Sequence, residues 1–193
     1  MEYENNMLIN DLLRRAQECT SKVKQFETLN IEQLRFKEEG RWSILECLEH
    51  LNLYGDFYLV EIEKQILKNQ HRHAIRFKSG LLGNYFANLM EVKNGKITKM
   101  KAPKDKNPVD ASLSVTTISR FLKQQDQLVT LLNQCRTLDL TKIKCSISLT
   151  NLIKLRLGDT LRFYTYHIER HVVQAETVAE KVLIHKSSPL LND

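Results

Sequence analysis

The chain has 193 residues, of which 42% are hydrophobic, with 6 glycines and 3 prolines. This length suits one domain, and so few glycines and prolines argue against a β-sandwich with many turns. The net charge of +6 is modest. It could help attract an anionic substrate or a nucleic acid, but the simpler interpretation is a protein kept away from its isoelectric point. The four cysteines form no Cys-x-x-Cys pair, so we expect reduced thiols packed in the core.

The N-terminal segment, residues 1–6, is polar and acidic and lacks the apolar stretch of a secretory signal. No apolar run approaches the roughly 20 residues that a membrane span needs. These two features lead us to expect a cytoplasmic protein that does not associate with a membrane.

The first long helix is predicted over about residues 5–29, because apolar residues recur there at helical intervals. A polar connection with a short helix around residues 31–34 follows. The second long helix is predicted from residue 43 to about residue 69. Ser43 and Glu46 form a capping box at its start, in which each side chain bonds the backbone amide of the other residue.

Residues 70–113 form the least regular part of the sequence. A short helix over residues 81–90 is followed by the lysine-rich loop Lys93–Lys106, which holds six lysines and contains a proline. Lysines in such a loop can contact the phosphates of a nucleic acid. No aromatic residue is interleaved among them, so we predict a solvated loop at a site entrance and no nucleic-acid partner.

A third long helix is predicted over residues 114–134. Residues 143–149 alternate apolar and polar side chains, which is typical of an extended segment. Because no partner strand is evident, we expect a packed connector. The last long helix is predicted to open after Gly158, with Asp159 as its N-cap.

This last helix is predicted to fade after His185, with a frayed tail from about residue 186. The predicted fold class is therefore all-α. It is a four-helix bundle with a long crossover connection between the second and third long helices. The pattern indicates a single domain over residues 1–193.

A histidine pair carries the main chemical signal. His167 and His171 are four residues apart on the last predicted helix, which places their Cβ atoms about 5–6 Å apart on one face. Such a pair can chelate one metal ion, although it also arises as an exposed or hydrogen-bonded pair. His50 borders the apolar stripe of another helix and is the candidate third ligand. Three histidines leave a coordination position open, as in catalytic metal sites.

Two polar residues beside these histidines each have two interpretations. Glu46 either orients His50 or only caps its helix, and the capping box favours the cap. Gln174, three residues after His171, either hydrogen-bonds a ligand or contributes polarity to the helix surface.

The remaining candidates have a functional and a structural interpretation as well. Tyr54 and Tyr164 each lie one turn from a candidate histidine and either donate to a substrate or pack in the core. Cys47 is a zinc ligand or, more simply, a buried thiol. His71 and His73 are alternative metal ligands, but their spacing suits a strand, and we predict that both, like the late His185, lie on the surface.

Three segments resemble the DinB-like metalloprotein superfamily. Residues 41–51, Arg-Trp-Ser-Ile-Leu-Glu-Cys-Leu-Glu-His-Leu, are similar to the W-S-x-x-E-x-x-x-H-L segment of that family. Residues 167–174, His-Ile-Glu-Arg-His-Val-Val-Gln, are similar to its closing H-x-x-R-H-x-x-Q helix. Residues 99–104, Lys-Met-Lys-Ala-Pro-Lys, resemble its mid-chain K-A-P-K loop. The resemblance covers essentially the whole chain.

The resemblance implies a DinB-like four-helix bundle in which His50, His167 and His171 face the interior and bind one divalent transition metal. Zinc or nickel is the expected metal, with manganese, iron and cobalt as alternatives. Some relatives are thiol S-transferases and others are described as metal-dependent hydrolases. The implied partner is therefore a small-molecule substrate such as a low-molecular-weight thiol. Homodimers are frequent in the group, so a homodimer is implied here. A non-catalytic metal-binding or interaction protein of the same fold is the alternative.

Overall fold

Four long helices form a bundle in the computed structural model, which describes residues 1–69, 74–93, 97 and 100–187. In chain order the helices are α1 (Asn5–Gln25), α2 (Ile31–Arg35), α3 (Ile44–Lys68), α4 (Leu81–Met90), α5 (Thr116–Gln134) and α6 (Leu157–Ser187). α1 and α3 each pack against both α5 and α6, and the shorter α4 packs on α6. The predicted all-α class is confirmed.

Several sequence predictions fall outside the described part of the chain. They concern His71, His73, the tail beyond residue 187 and the side chain of His185. Across the described ranges, no helix is both long enough and apolar enough to cross a membrane.

The start of α3 follows the predicted capping box. The backbone amide of Glu46 donates to the Ser43 hydroxyl over 3.1 Å, and the Glu46 carboxylate accepts from the amide of Ser43 over 2.8 Å. Lys37 adds an ion pair to the same carboxylate at 2.6 Å. Because the cap defines where α3 begins, it also sets which face of the helix each later residue occupies. His50 comes to lie on a buried face.

Two small antiparallel strand pairs accompany the bundle. In chain order the strands are β1 (Glu2–Glu4), β2 (Arg76–Lys78), β3 (Lys144–Ile147) and β4 (Thr150–Arg156), with β1 paired to β2 and β3 paired to β4. The prediction that residues 143–149 are an unpaired connector is wrong. β4 is hard to recognise as a partner because a large apolar side chain, Leu152, is 94% exposed on it.

The predicted start of the last helix is also wrong. α6 begins at Leu157, so Gly158 and Asp159 lie inside its first turn. The Asp159 carboxylate accepts from the Ser79 hydroxyl and from the backbone amide of Gly80, and thus holds the segment after β2. A Cβ on Gly158 would lie 2.7 Å from the ring of Phe77. The glycine therefore allows close packing, and it does not interrupt the helix.

Arg162, one turn further along α6, is 2% exposed and ties α4 to α6. Its guanidinium donates to Asn84 and Asn88, each over 3.1 Å, and to the Ser79 hydroxyl over 3.3 Å. It also lies 3.5 Å from the Asp159 carboxylate. A buried cation held by a carboxylate and three further acceptors is the arrangement expected of a structural charge.

Candidate metal centre

α3 and α6 bring together the three histidines that stood out in the sequence. His50 comes from α3, and His167 and His171 lie one turn apart on α6; their exposed fractions are 2%, 4% and 9%. One ring nitrogen from each lies within 4.8 Å of the others. In the described part of the chain, no other group of three or more His, Cys, Asp or Glu side chains is arranged so that it can hold a metal ion.

Hydrogen bonds to two of the rings determine which nitrogen is available as a ligand. His50 Nδ1 lies 2.6 Å from the backbone carbonyl of Lys106, and His171 Nδ1 lies 3.0 Å from Gln174 Oε1. Both partners are acceptors, so each Nδ1 carries the proton and donates. The Nε2 atom of each neutral ring therefore keeps a free lone pair. Histidines that bind metals are oriented by outer hydrogen bonds of this kind.

The distance between the Nε2 atoms of His50 and His167 is the one expected if both bind the same metal ion. His50 Nε2 and His167 Nε2 are 3.2 Å apart. Two nitrogens bound to the same tetrahedral zinc, each at about 2.0–2.1 Å, lie roughly 3.3 Å apart. A hydrogen bond from His167 to His50 would have a similar length. In either arrangement the buried Nδ1 of His167 has no hydrogen-bond partner in the described structure, as an acceptor beside the hydrogen bond or as a donor beside the ion.

Aromatic rings enclose the three imidazoles. The Trp42 ring lies against His50 and His171, with centroids 4.8 and 5.7 Å away. The Tyr54 ring lies against His50 and His167, at 4.9 and 4.4 Å. Because these rings remove the imidazoles from water, they fix ring positions and disfavour charged histidine.

Burial keeps the three histidines neutral near pH 7. Desolvation lowers the pKa of His50 to about 4, against the opposing effect of its hydrogen bond to the Lys106 carbonyl. Desolvation, followed by the mutual proximity of the rings, holds the pKa values of His167 and His171 well below their usual range. Neutral imidazole is the form that binds metal ions.

The histidines open into a cavity of about 860 Å³. Its wall includes residues 100–103, so part of the lysine-rich loop lies at the site as expected. Four cationic side chains line it among the described residues: Arg41, Lys101, Arg170 and Lys181. Apolar walls come from Phe36, Trp42, Phe86, Leu89, Met90, Leu149 and Phe163.

The other sequence candidates divide between the site and the core. Tyr54 lines the cavity, whereas Tyr164 is 1% exposed and stacks on Tyr58 in the core at 5.6 Å. Cys47 is fully buried, and burial raises the pKa of its thiol, which fits the structural interpretation. Glu46 acts as a cap, and its carboxylate contacts Ser43 and Lys37.

Sequence reasoning missed three contributors to this site. Trp42 and Arg170 both lie inside the motifs that carry the family resemblance. Their place in those motifs could have indicated a role at the site. Arg170 is 4% exposed, and burial lowers the pKa of its guanidinium. The third contributor is the backbone carbonyl of Lys106, which no side-chain pattern can indicate.

This chain is a helical bundle with a buried histidine triad beside a large cavity. These features are those of a helical-bundle protein with a candidate metal centre. The sequence profile of the DinB superfamily matches residues 12–175, a range that contains all three histidines. The chain therefore belongs to the DinB superfamily. No curated protein and no solved structure gives a significant match to it.

We expect the metal-free protein to lose stability as the pH falls below about 6.5, the ordinary pKa of histidine. Burial lowers the folded-state pKa of all three histidines, so below pH 6.5 the unfolded chain binds protons that the folded chain excludes. The free energy of unfolding then falls by up to about 1.4 kcal/mol per pH unit for each such histidine. For His50 this loss continues to about pH 4.

Urea unfolding of chelator-treated protein at about pH 7.5, 6.5, 5.5 and 5.0 measures the free energy of unfolding across the pH range in which histidine titrates. A control variant with His50→Gln, His167→Gln and His171→Gln should show a shallower pH dependence. An unfolding free energy that does not change over this range would contradict the account of three buried neutral imidazoles.

Proposed function

We propose that His50, His167 and His171 bind one divalent transition metal ion through their Nε2 atoms. The observation that carries the proposal is the 3.2 Å approach of two Nε2 atoms inside a buried group. The outer hydrogen bonds of His50 and His171 support it, because they leave Nε2 unprotonated. Nitrogen ligands of this type suit zinc or nickel best, and also accept manganese, iron or cobalt.

We further propose that the protein is a metal-dependent enzyme acting on a small molecule. Three protein ligands leave a coordination position for a further ligand, and the cavity beside them is large enough for a small substrate. A metal bound there would lower the pKa of a coordinated thiol or water. The reaction is therefore a thiol S-transfer or a hydrolysis, and both use the same three histidines.

The chain's own residues would prepare the site for either reaction. The Lys106 carbonyl and Gln174 hold the protons of His50 and His171 on Nδ1 and so leave each Nε2 unprotonated. Trp42 and Tyr54 keep water off the rings. Tyr54 also lines the cavity and can place its phenol against a substrate, with a pKa raised by burial so that it stays protonated.

Metal content of the purified protein tests the proposed ligands. We expect wild-type protein to carry about one equivalent of metal per chain, and a His167→Ala/His171→Ala variant to carry less than about a tenth of that. A His71→Ala/His73→Ala variant is the matched control, because it also removes two histidines, and it should keep the wild-type content. Elemental analysis after dialysis gives the comparison.

The proposal fails if wild type and the His167→Ala/His171→Ala variant hold equal amounts of zinc, nickel, manganese, iron and cobalt. Loss of metal from the control variant would instead place the site at the histidines that lie outside the described residues. Circular dichroism of each variant separates loss of ligands from loss of fold.

Turnover tests the proposed enzyme class. We expect zinc- or nickel-loaded protein to accelerate the reaction of a low-molecular-weight thiol with monobromobimane, or the hydrolysis of 4-nitrophenyl acetate. Chelation or the His167→Ala/His171→Ala change should remove the acceleration. The absence of metal-dependent turnover across several thiols and esters would favour a non-catalytic metal-binding or interaction protein of this fold.

A further inference from the structure

α6 buries two guanidinium groups that differ in what surrounds them. Arg162 is 2% exposed and is held by Asp159 and three further acceptors. Arg170 is 4% exposed, and within the described ranges its side chain has no hydrogen-bond or ion-pair partner. Burying a charge without a partner is costly, so such a group is expected to meet its counter-charge elsewhere.

The position of Arg170 shows where that counter-charge would bind. It lines the same cavity as the histidines, three residues after His167 and one before His171. Arg170 therefore forms part of the cavity wall beside the proposed metal. A ligand held by Arg170 would lie next to the coordination position that the histidines leave open.

The other charges around the cavity do not supply the missing anion. Glu38 is the one acidic residue among the described residues of the cavity wall, and it is ion-paired with Lys181 at 2.6 Å. Arg41 and Lys101 add further positive charge at exposed positions of the wall. A cavity with this excess of cations concentrates small anions.

The side chains of the cavity wall indicate which chemical class of anion the cavity would bind. A single buried guanidinium offers two parallel N–H donors, which match the two oxygens of a carboxylate. One buried cation is balanced by one negative charge, whereas a phosphate dianion would require a second buried cation. Aromatic and apolar side chains form the rest of the wall, among them Trp42, Phe86 and Phe163. These surfaces favour an apolar body on the ligand.

We propose that Arg170 binds the carboxylate of a small substrate with an apolar body, and so places that substrate beside the three histidines. This assignment of a substrate class builds on the proposed function, because it concerns the same cavity. The binding step itself requires only the guanidinium, so it can be measured with and without metal.

Calorimetric titration with two matched probe pairs tests the assignment. The pairs are 4-phenylbutyrate with 4-phenylbutyramide, and octanoate with octanamide, each added to zinc-loaded and to metal-free protein. We expect a carboxylate to bind about tenfold or more tightly than its amide in both forms, because a hydrogen bond to a charged group is lost in the amide. In an Arg170→Met variant the two should differ by less than about twofold, with zinc content unchanged.

Three results of these titrations would overturn the proposal. One is the absence of a carboxylate preference with either pair. Another is a preference that requires zinc and survives Arg170→Met, which would mean that the carboxylate binds the metal. The last is tighter binding of phenyl phosphate than of 4-phenylbutyrate. If the protein holds no zinc at all, the proposed metal site fails, while the metal-free titrations still test Arg170.

Thermal unfolding separates this role from a structural one. Arg170→Met should leave the Tm of metal-free protein unchanged or raise it, because the change removes an uncompensated buried charge. Arg162→Met is the matched control on the same helix and should lower the Tm by roughly 10 °C, because it leaves the buried Asp159 carboxylate without its cation and removes the bonds to Asn84 and Asn88. A comparable drop for Arg170→Met would show that Arg170 serves the fold, and would overturn the proposal.

Discussion

Three neutral imidazoles buried between α3 and α6 constrain much of the structure around them. Each ring has polar nitrogens that must be satisfied once water is removed. His50 meets this need through the carbonyl of Lys106, so the loop before α5 must fold back onto α3. His171 meets it through Gln174, one turn further along α6. The Nε2 atoms of His50 and His167 lie 3.2 Å apart, and a shared cation would satisfy both lone pairs.

The buried polar side chains of α6 have different roles at different positions along the helix. Near its N-terminus, Arg162 is ion-paired with Asp159 and bonds Asn84 and Asn88, which fastens α4 to the bundle. About two turns later, His167 and Arg170 face a cavity with polar atoms left without partners in the described structure. A buried cation with a counter-ion serves the fold, whereas one without a counter-ion at a cavity wall is available to a ligand.

Much of this arrangement could be predicted from the sequence because the signals are local. Helical periodicity and the capping box at Ser43 located α3, and its phase placed His50 on a buried face. Gly158 misled the prediction of α6, because it permits contact with Phe77 and does not break the helix. The Lys106 carbonyl and the missing partner of Arg170 depend on residues distant in sequence, so no local pattern could reveal them.

An anomalous difference map from crystals of zinc-loaded protein, collected at the zinc edge, tests the central claim most directly. The account predicts a single strong peak bonded to the Nε2 atoms of His50, His167 and His171, at about 2.0–2.1 Å from each. Nδ1 of His50 should remain hydrogen-bonded to the Lys106 carbonyl. A peak bonded to other residues, or no peak between the three rings at full zinc occupancy, would contradict the account.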